Sequence, residues 1–383
     1  LKMGIDKYNE ECRSIVMRYS KEWEKTVTRT GRWIDFENDY KTLDPNFMES
    51  VWWVFKTLHT KNLVYKGFKV MPYSTACNTP LSNFEAGLDY RDVSDPAVMV
   101  GFPVIGCELQ SSLVAWTTTP WTLPSNLALC VNPEFKYVYI KNPENKVFIV
   151  AEVRVSSLPN ATKKAKGGKP GALSDGWEIV KTLLGSELKD LKYEPIFPFF
   201  KDEMQGSAFR VCVDAYVTDD SGTGVVHQAP AYGEDDYRVC VTHGIVEKGG
   251  LLPDPVDVNG CFQSPVTAPY AGQHVKAADK DLIQAIKDSG RLVDNRSIVH
   301  SYPFCWRSHT PLIYKAVGSF FVKVEEIKDK LMENNKKTRW VPSYVQEKRF
   351  HNWLENAHDW SISRNRYWGT PIPVWQSPDG EEM

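Results

Sequence analysis

The sequence lacks the features of membrane, secreted and disulfide-rich proteins. No apolar run approaches the roughly 18 residues that a membrane helix needs, although 42% of the 383 residues are hydrophobic. The first residues include no initiator methionine and no basic-then-apolar signal pattern, so the sequence reads as the middle of a longer chain. The eight cysteines never form a Cys-x-x-Cys pair, which argues against a disulfide framework or an intact metal ribbon. We expect a cytoplasmic protein with no membrane partner.

Several catalytic signatures are also missing. The sequence has no Gly-x-Ser-x-Gly elbow, no His-Glu-x-x-His and no phosphate-binding loop. Its net charge of −2 argues against a protein that coats nucleic acid through the phosphates, although not against one that holds a single RNA end. The stretch GTGVVH begins like a dinucleotide fingerprint, but His227 stands where the third glycine belongs. It therefore reads as a turn that leads into a strand.

The first 70 residues have helical periodicity, and a β-rich texture follows. Ile15, Tyr19 and Trp23 recur every four residues on one helical face, and Asp44 with Pro45 suits the start of a second helix. That second helix is predicted to turn an apolar face, Met48, Trp52, Phe55 and Leu58, toward a core. From about residue 72, short β-prone runs alternate with turn residues. This pattern predicts a barrel-like β-rich domain.

Further helices are predicted toward the end of the sequence. One runs from about Val275 to Ser289 and is closed by Gly290, and two more lie around residues 325–335 and 344–357. Helical segments thus flank a β-rich middle, which is the arrangement left when one domain is inserted into another whose outer parts are cut short. The Gly-, Lys- and Pro-rich stretch 159–176 is predicted to be a surface insertion without chemistry.

The segment AWTTTPWTLPSN, residues 115–126, concentrates threonines. On a strand, Thr117 and Thr119 share a face while Thr118 points the other way. Thr119 followed by Pro120 suits an N-cap and a first helical residue, which would leave the next two amides without intrahelical partners. Free amides and clustered hydroxyls can hold a carbonyl oxygen or a water. The alternative is that threonine is simply a favoured strand residue.

The segment HQAPAYGEDDYRVC, residues 227–240, combines a histidine with three consecutive acids. The acids at 234–236 follow Gly233, where a helix would start, and one interpretation is that they serve only the positive end of the helix dipole. The sharper alternative is that one carboxylate pairs with an ammonium group of a ligand. His227 suits a general base, or else a structural pocket wall. No Ser or Cys stands near it, so a catalytic triad has little support.

Together these stretches resemble the isoleucyl-tRNA synthetase family over essentially the whole chain. WTTTPWTLPSN and GTGVVHQAPAYGEDDY look like the two signature segments of that family's editing domain. Residues 7–44 and 359–375 are similar to parts of the synthetic, Rossmann-type domain on either side of it. The chain lacks the Thr-Thr-Arg-Pro-Glu-Thr form that is typical of valyl and leucyl enzymes, and its AYGEDD form points to the eukaryotic cytosolic type.

The resemblance implies an α/β fold class and a five-part organisation. A β-barrel-like editing domain of the valyl, isoleucyl and leucyl type would be inserted into a truncated Rossmann-type class I catalytic domain. The predicted parts are the first catalytic part at 1–72, a connecting β-ribbon at 73–89, the editing domain at 90–298, a second ribbon at 299–323 and the last catalytic part at 324–383.

The resemblance also implies a role for each candidate site residue. Asp236 would bind the α-ammonium of a misplaced valine, and Thr119 and His227 would exclude the larger isoleucine. The expected catalytic residues are Thr117, Thr118, Thr119, Thr122, His227 and Asp236. The expected substrate-binding residues are Trp116, Trp121, Ala229, Pro230, Tyr232, Gly233 and Asp235. The nucleophile is expected to be water, positioned by the hydroxyls rather than replaced by them.

The function so implied is hydrolysis of valine from tRNA(Ile), with the tRNA 3′ end as partner and a monomer as the assembly. A second site is needed because one missing methylene is worth only about 1–3 kcal/mol in a synthetic pocket. No cofactor is expected for editing. The full-length parent would use ATP, but the His-x-Gly-His and Lys-Met-Ser-Lys-Ser motifs are absent from this sequence. The alternatives are a valyl or leucyl editing domain, a non-catalytic module that docks the tRNA 3′ end, and a metal-dependent hydrolase.

Two short stretches bear on whether this chain binds zinc. Some relatives carry Cys-x-x-Cys pairs where this chain has STAC at 74–77 and CWRSH at 305–309. Cys77, Cys305 and His309 remain as three possible ligands. Their degenerate spacing favours a lost zinc site over a retained one, and no metal is expected.

Overall fold

The structure is a computed structural model that describes residues 3–107, 109–164, 170–365, 367–375 and 377. The α-helices are α1 (Ile5–Arg29), α2 (Pro45–Thr60), α3 (Asn83–Ala86), α4 (Lys201–Met204), α5 (Glu234–Thr242), α6 (Val275–Asp288), α7 (Lys328–Lys336) and α8 (His351–Glu355). Shorter helical turns are the 3-10 turns Pro120–Ser125, Glu152–Ser157, Gly185–Leu188 and Glu325–Ile327, and the π-turn Val345–Phe350. In the part of the chain that is described, no helix is both long and apolar enough to cross a membrane.

The strands agree with the β-prone runs of the sequence. They are β1 (Val64–Ser74), β2 (Thr79–Pro80), β3 (Tyr90–Pro103), β4 (Ser111–Thr117), β5 (Ala128–Val131), β6 (Lys136–Lys141), β7 (Val147–Ala151), β8 (Thr162–Lys164), β9 (Pro170–Leu173), β10 (Glu178–Leu184), β11 (Arg210–Val213), β12 (Val225–Gln228), β13 (Leu292–Pro303), β14 (Ile313–Val322) and β15 (Trp360–Ser361). Strands β8 and β9 lie within the predicted surface insertion and pair with each other. Residues 165–169 of that insertion lie outside the described residues.

The chain divides into two compact units. Unit 1 comprises residues 1–67 and 319–383, and unit 2 comprises residues 68–318. The chain leaves unit 1 within β1 and returns to it within β14. Unit 2 is therefore a continuous insertion between two separated segments of unit 1. The five-part division at the predicted boundaries stays a prediction.

Unit 1 contains the helices that the apolar spacing predicts. Helix α1 ends at Arg29, two residues before Gly31, which has a φ of 78°. Helix α2 starts at Pro45 as predicted, and its inward face is the predicted one: Met48, Trp52, Phe55 and Leu58 are partly buried. The Trp52 indole N–H donates to the carbonyl of Pro371 at 2.7 Å. The predicted helix at 344–357 is confirmed as a π-turn that continues into α8.

Unit 2 is built on two sheets that matter for the site. A six-stranded sheet has the order β10-β6-β7-β4-β3-β13, and a three-stranded sheet has the order β11-β5-β12. The chain leaves the first sheet at the end of β4, within residues 115–126, and enters the second sheet at β5. Strand β12 pairs antiparallel with β5, with His227 opposite Leu129. This register brings the second signature segment beside the first.

Alternation along β4 assigns its side chains to two different cores. Leu113 and Ala115 belong to the main hydrophobic cluster of unit 2, which also holds Trp121, Tyr232 and the apolar face of α6. Val114 belongs to a second cluster, against which Trp116 packs. Helix α6 matches the predicted helix, since it ends at Asp288 with Ser289 and Gly290 following.

The sheets are mixed with helices, as the predicted α/β class requires. Within the described residues each sheet has two separate edge strands, so none closes on itself. A closed barrel is therefore not what forms here, and the barrel-like description stays a prediction.

Candidate functional site

The threonine hydroxyls of residues 115–126 are arranged by their own hydrogen bonds. Thr117 Oγ1 lies 3.2 Å from Thr119 Oγ1 and accepts the Thr119 backbone N–H at 3.1 Å. The prediction that these two threonines share a face is confirmed. Thr122 donates its hydroxyl hydrogen to the Thr119 carbonyl at 2.9 Å. Thr118 lies between Thr117 and Thr119 in sequence, and it is partly buried.

The prediction that two amides after Pro120 lack partners within the helix is confirmed for Trp121 and wrong for Thr122. A 3-10 turn does begin at Pro120, with every residue to Ser125 buried. The Thr122 N–H bonds to the Thr119 carbonyl at 3.0 Å, and the Trp121 N–H donates to Asp279 Oδ1 at 2.9 Å. Both donors are therefore satisfied, that of Thr122 within the turn and that of Trp121 by a carboxylate from helix α6. Any carbonyl or water bound here must therefore be held by hydroxyls.

Asp279 was not anticipated from the sequence, although a signal for it existed. In the predicted helix it falls on the same stripe as Val275, Leu282 and Ile286, and all of these are buried. An acid on an apolar stripe is costly unless it has a partner. Burial raises the pKa of Asp279 to about 7, partly offset by Lys276 and by the Trp121 N–H.

His227 is a buried, neutral imidazole with both ring nitrogens occupied. Its Nε2 lies 2.7 Å from Thr122 Oγ1, and its Nδ1 lies 3.3 Å from Asn126 Nδ2. The Asn126 amide also donates to the Ala128 carbonyl at 2.9 Å, which only accepts and so fixes the orientation of the amide. Because Asn126 donates to Nδ1, the ring hydrogen is on Nε2 and donates to Thr122. Burial lowers the pKa of His227 to about 4.

This network bears on the two predicted roles of His227. A general base needs a nitrogen lone pair that faces the reacting proton. Here the lone pair of Nδ1 accepts from Asn126, and Nε2 carries the hydrogen. The arrangement favours the structural wall over the base.

Asp236 occupies the third position of helix α5 and folds back toward the preceding loop. Its Oδ2 accepts the backbone N–H of Ala229 at 2.9 Å. Burial raises the pKa of Asp236 to about 7, and the neighbouring Asp235 adds to the rise while the Ala229 N–H opposes it. A nearby positive charge would stabilise the ionised form of such a buried carboxylate.

The two other acids behave as helix-dipole residues. Glu234 and Asp235 are exposed, and Asp235 forms an ion pair with Arg238 at 3.0 Å. Of the three acids, only Asp236 is partly buried. The predicted substrate-binding role of Asp235 gains no support from its position.

Gly233 is required by the position of the Asp236 carboxylate. A Cβ atom on residue 233 would lie 2.6 Å from Asp236 Cγ and 2.7 Å from its Oδ2. Real Cβ atoms do not approach other atoms so closely. Any side chain at 233 would therefore displace the carboxylate.

The two segments are held together by aromatic packing as well as by the Thr122–His227 bond. The rings of Trp121 and Tyr232 meet edge to face with centroids 4.8 Å apart. Tyr232 donates its hydroxyl hydrogen to Asp254 at 2.9 Å, and Asp254 also binds the Lys315 ammonium. The buried loop residues Ala229, Pro230 and Ala231 lie between His227 and Tyr232.

Trp116 packs against a different hydrophobic cluster from the one that holds Trp121 and Tyr232, two other predicted substrate-binding residues. Side chains alternate along β4, so Trp116 faces the second hydrophobic cluster while Thr117 faces the other way. Its predicted substrate-binding role gains no support from this position and stays a prediction.

The three possible zinc ligands contact different partners. Cys77 Sγ lies 4.0 Å from Cys305 Sγ, whereas the His309 ring bonds to Asp89 at 3.2 Å. Among the described residues no group of three or more His, Cys, Asp or Glu side chains is arranged to hold a metal. The loss of a zinc site stays a prediction.

Comparison with known proteins identifies the family. The family model for class I tRNA synthetases (I, L, M and V) matches residues 1–383. The chain belongs to this family. It is 60% identical over 401 aligned residues to the cytoplasmic isoleucine–tRNA ligase of Arabidopsis thaliana, 57% to that of Mus musculus and 53% to that of Saccharomyces cerevisiae. All of the chain is covered, but only 34%, 29% and 35% of these relatives, so the synthetase segment spans about a third of their length.

A solved structure gives a more distant similarity. The leucyl-tRNA synthetase editing domain of P. knowlesi matches 55% of this synthetase segment and 97% of its own chain, with 14% identity and a TM-score of 0.36. The family assignment therefore depends on the sequence matches.

Proposed function

We propose that this synthetase segment carries the editing activity of a cytoplasmic isoleucine–tRNA ligase, the hydrolysis of valine from misacylated tRNA(Ile). The observation that supports this best is the 2.7 Å contact between Thr122 and His227. It joins the two segments that resemble the editing signatures, and Asp236 is anchored two residues beyond His227, at Ala229. The proposed substrate is the 3′ end of the tRNA.

In this proposal Asp236 recognises the amino group of the substrate. The carboxylate lies beside a buried loop, where its pKa is about 7, and an α-ammonium brought close to it would favour the ionised form. Removal of one partner from a buried ion pair costs about 3–5 kcal/mol, because the other charge is left buried and unpaired. Asp236 therefore contributes binding and orientation rather than proton transfer.

The hydroxyls of Thr117 and Thr119 are proposed to position the ester and the water. Their oxygens are 3.2 Å apart, so one group of the substrate or one water can contact both. The water oxygen attacks the ester carbonyl carbon, the bond from that carbon to the ribose oxygen breaks, and the ribose oxygen takes up a proton. Valine and uncharged tRNA leave. Placement of the reactants accelerates the hydrolysis, and no metal is needed.

His227 is proposed to set the size limit. Its ring is neutral and held on both nitrogens, so it is a rigid wall beside Thr122. Thr119 would form the other side. The smaller valine is admitted and isoleucine, one methylene larger, is excluded.

The outer architecture is proposed on the same basis. Unit 2 would contain the barrel-like editing domain, and unit 1 would be part of a Rossmann-type catalytic domain. In the full-length parent that domain would use ATP to charge tRNA(Ile). A monomeric assembly is part of this proposal.

Hydrolysis of three misacylated or charged tRNAs tests the assignment. The full-length protein should release valine from valyl-tRNA(Ile) and leave isoleucyl-tRNA(Ile) intact, with or without a chelator. Preferential hydrolysis of threonyl-tRNA(Val) would instead identify a valyl-type editing domain. Binding of valyl-tRNA(Ile) without hydrolysis would identify a docking module, and loss of activity with chelator a metal-dependent hydrolase.

A further inference from the structure

Asp279 is a buried carboxylate that the proposed chemistry does not use. Its side chain lies on the core-facing stripe of α6, and the residue is 7% exposed. Within the described part of the chain, its one hydrogen bond to a distant segment is the 2.9 Å bond from the Trp121 N–H, across 158 residues of sequence. A charged group buried at this cost needs a structural reason.

The reason lies in the first turn of the 3-10 helix that starts at Pro120. Proline has no N–H, and the Thr122 N–H already bonds to the Thr119 carbonyl at 3.0 Å. The Trp121 N–H, at the second position of the turn, is therefore the donor that lacks a partner within the helix. Asp279 supplies that partner.

This external cap changes what Thr119 does. A threonine at the N-cap normally accepts the N–H of the second or third helical residue through its own hydroxyl. Here Thr119 occupies the N-cap position but makes no such side-chain bond. Its hydroxyl instead lies 3.2 Å from that of Thr117.

We infer that Asp279 is a positioning residue for the editing reaction, which caps the 3-10 turn in place of Thr119 and thereby leaves the Thr119 hydroxyl beside Thr117 for the substrate. This inference rests on the proposed function. Asp279 touches no substrate; it acts through the orientation of Thr119.

The charges around Asp279 have other partners. Lys276, one turn earlier on α6, pairs with Asp95 at 3.3 Å and lies over the Tyr302 ring at 4.6 Å. Asp95 also contacts His300 at 3.1 Å. Because Lys276 is held by these groups, the Trp121 amide is the contact through which Asp279 reaches the threonines.

The experiment measures kcat and KM for hydrolysis of valyl-tRNA(Ile) at pH 8 by the full-length protein and its variants. Asp279→Ala should lower kcat about 100-fold, because a catalytic group displaced by about 1 Å has an effect of this size. KM should change less than about threefold, since the ammonium contact of Asp236 is untouched. Asp279→Asn should stay within about threefold of wild type, because its amide oxygen still accepts the Trp121 N–H.

Two controls separate positioning from a general loss of stability. Leu282→Ala removes a buried apolar side chain from the same face of α6 and should lower the thermal midpoint without the loss of kcat. Thr119→Val combined with Asp279→Ala should lose no more activity than the more damaging single variant, because both act on the same hydroxyl. If Asp279→Ala does not fold, Asp279→Glu, which moves the carboxylate by one methylene, should show the loss of kcat.

Several results would overturn the inference. A wild-type kcat in Asp279→Ala would overturn it. If Asp279→Ala does not fold, a wild-type kcat in Asp279→Glu would overturn it. So would an equal loss of kcat in Leu282→Ala, or additive losses in the double variant. These results leave an active wild type and so count against Asp279 alone. A wild-type protein that does not hydrolyse valyl-tRNA(Ile) contradicts the proposed function, and this inference with it.

Discussion

Replacement of Asp236 by asparagine should stabilise unit 2 at alkaline pH while it removes the proposed activity. The carboxylate has its pKa raised from 3.8 to about 7, chiefly by burial. The folded state therefore favours the protonated form. The contribution of Asp236 to stability is present below pH 4 and is lost as the pH rises through about 7.

The size of the effect follows from the shift. One pKa unit corresponds to 1.36 kcal/mol, so about three units set an upper limit of about 4 kcal/mol. Asp236 is partly exposed, and water reduces the penalty. We expect Asp236→Asn to raise the opening free energy by about 1–3 kcal/mol at pH 8. Its amide oxygen can still accept the Ala229 N–H.

Amide hydrogen exchange, read on peptides that cover α5 and β12, reports this free energy for unit 2 alone. The gain from Asp236→Asn should shrink as the pH falls from 8 toward 4. Asp235→Asn is the matched control: Asp235 is the preceding residue, exposed and paired with Arg238, and its replacement should not stabilise. A less stable Asp236→Asn protein at pH 8 would refute the reasoning.

Three further predictions concern activity. His227→Ala should allow hydrolysis of isoleucyl-tRNA(Ile), because the wall beside Thr122 is removed; continued resistance of that ester would place the size limit elsewhere. Gly233→Ala should lower the rate at least about tenfold, because a Cβ there lies 2.6 Å from Asp236 Cγ, whereas Gly206→Ala, which meets nothing within 4 Å, should have wild-type activity. The kcat/KM for valyl-tRNA(Ile) should rise with pH up to about 7 as Asp236 ionises, and a flat profile between pH 5 and 8 would contradict its role.

Local patterns in the sequence were enough to predict the secondary structure around the site. Alternation and turn residues predicted β4 and β12, and apolar spacing predicted α6 to within one residue of its observed ends. These features depend on neighbours in sequence. The pairing of Thr117 with Thr119 was predictable for the same reason.

Contacts between distant segments were not predictable in this way. The cap from Asp279 crosses 158 residues, and nothing near Pro120 signals it, so the partner of the Trp121 amide could not be predicted. The bond between Asn126 and His227 spans 101 residues, and it is this bond that fixes the tautomer of the imidazole.

The most direct test of the site is a substrate that lacks the amino group. Valyl-tRNA(Ile) and its des-amino analogue, 3-methylbutanoyl-tRNA(Ile), should be compared for the wild-type protein and Asp236→Ala. Wild type should hydrolyse valyl-tRNA(Ile) at least about 100-fold faster than the analogue, since a buried ion pair of about 3–5 kcal/mol is lost, while Asp236→Ala should hydrolyse both at the same slow rate. Equal preference for the amino group in both proteins would contradict the claim that Asp236 holds it.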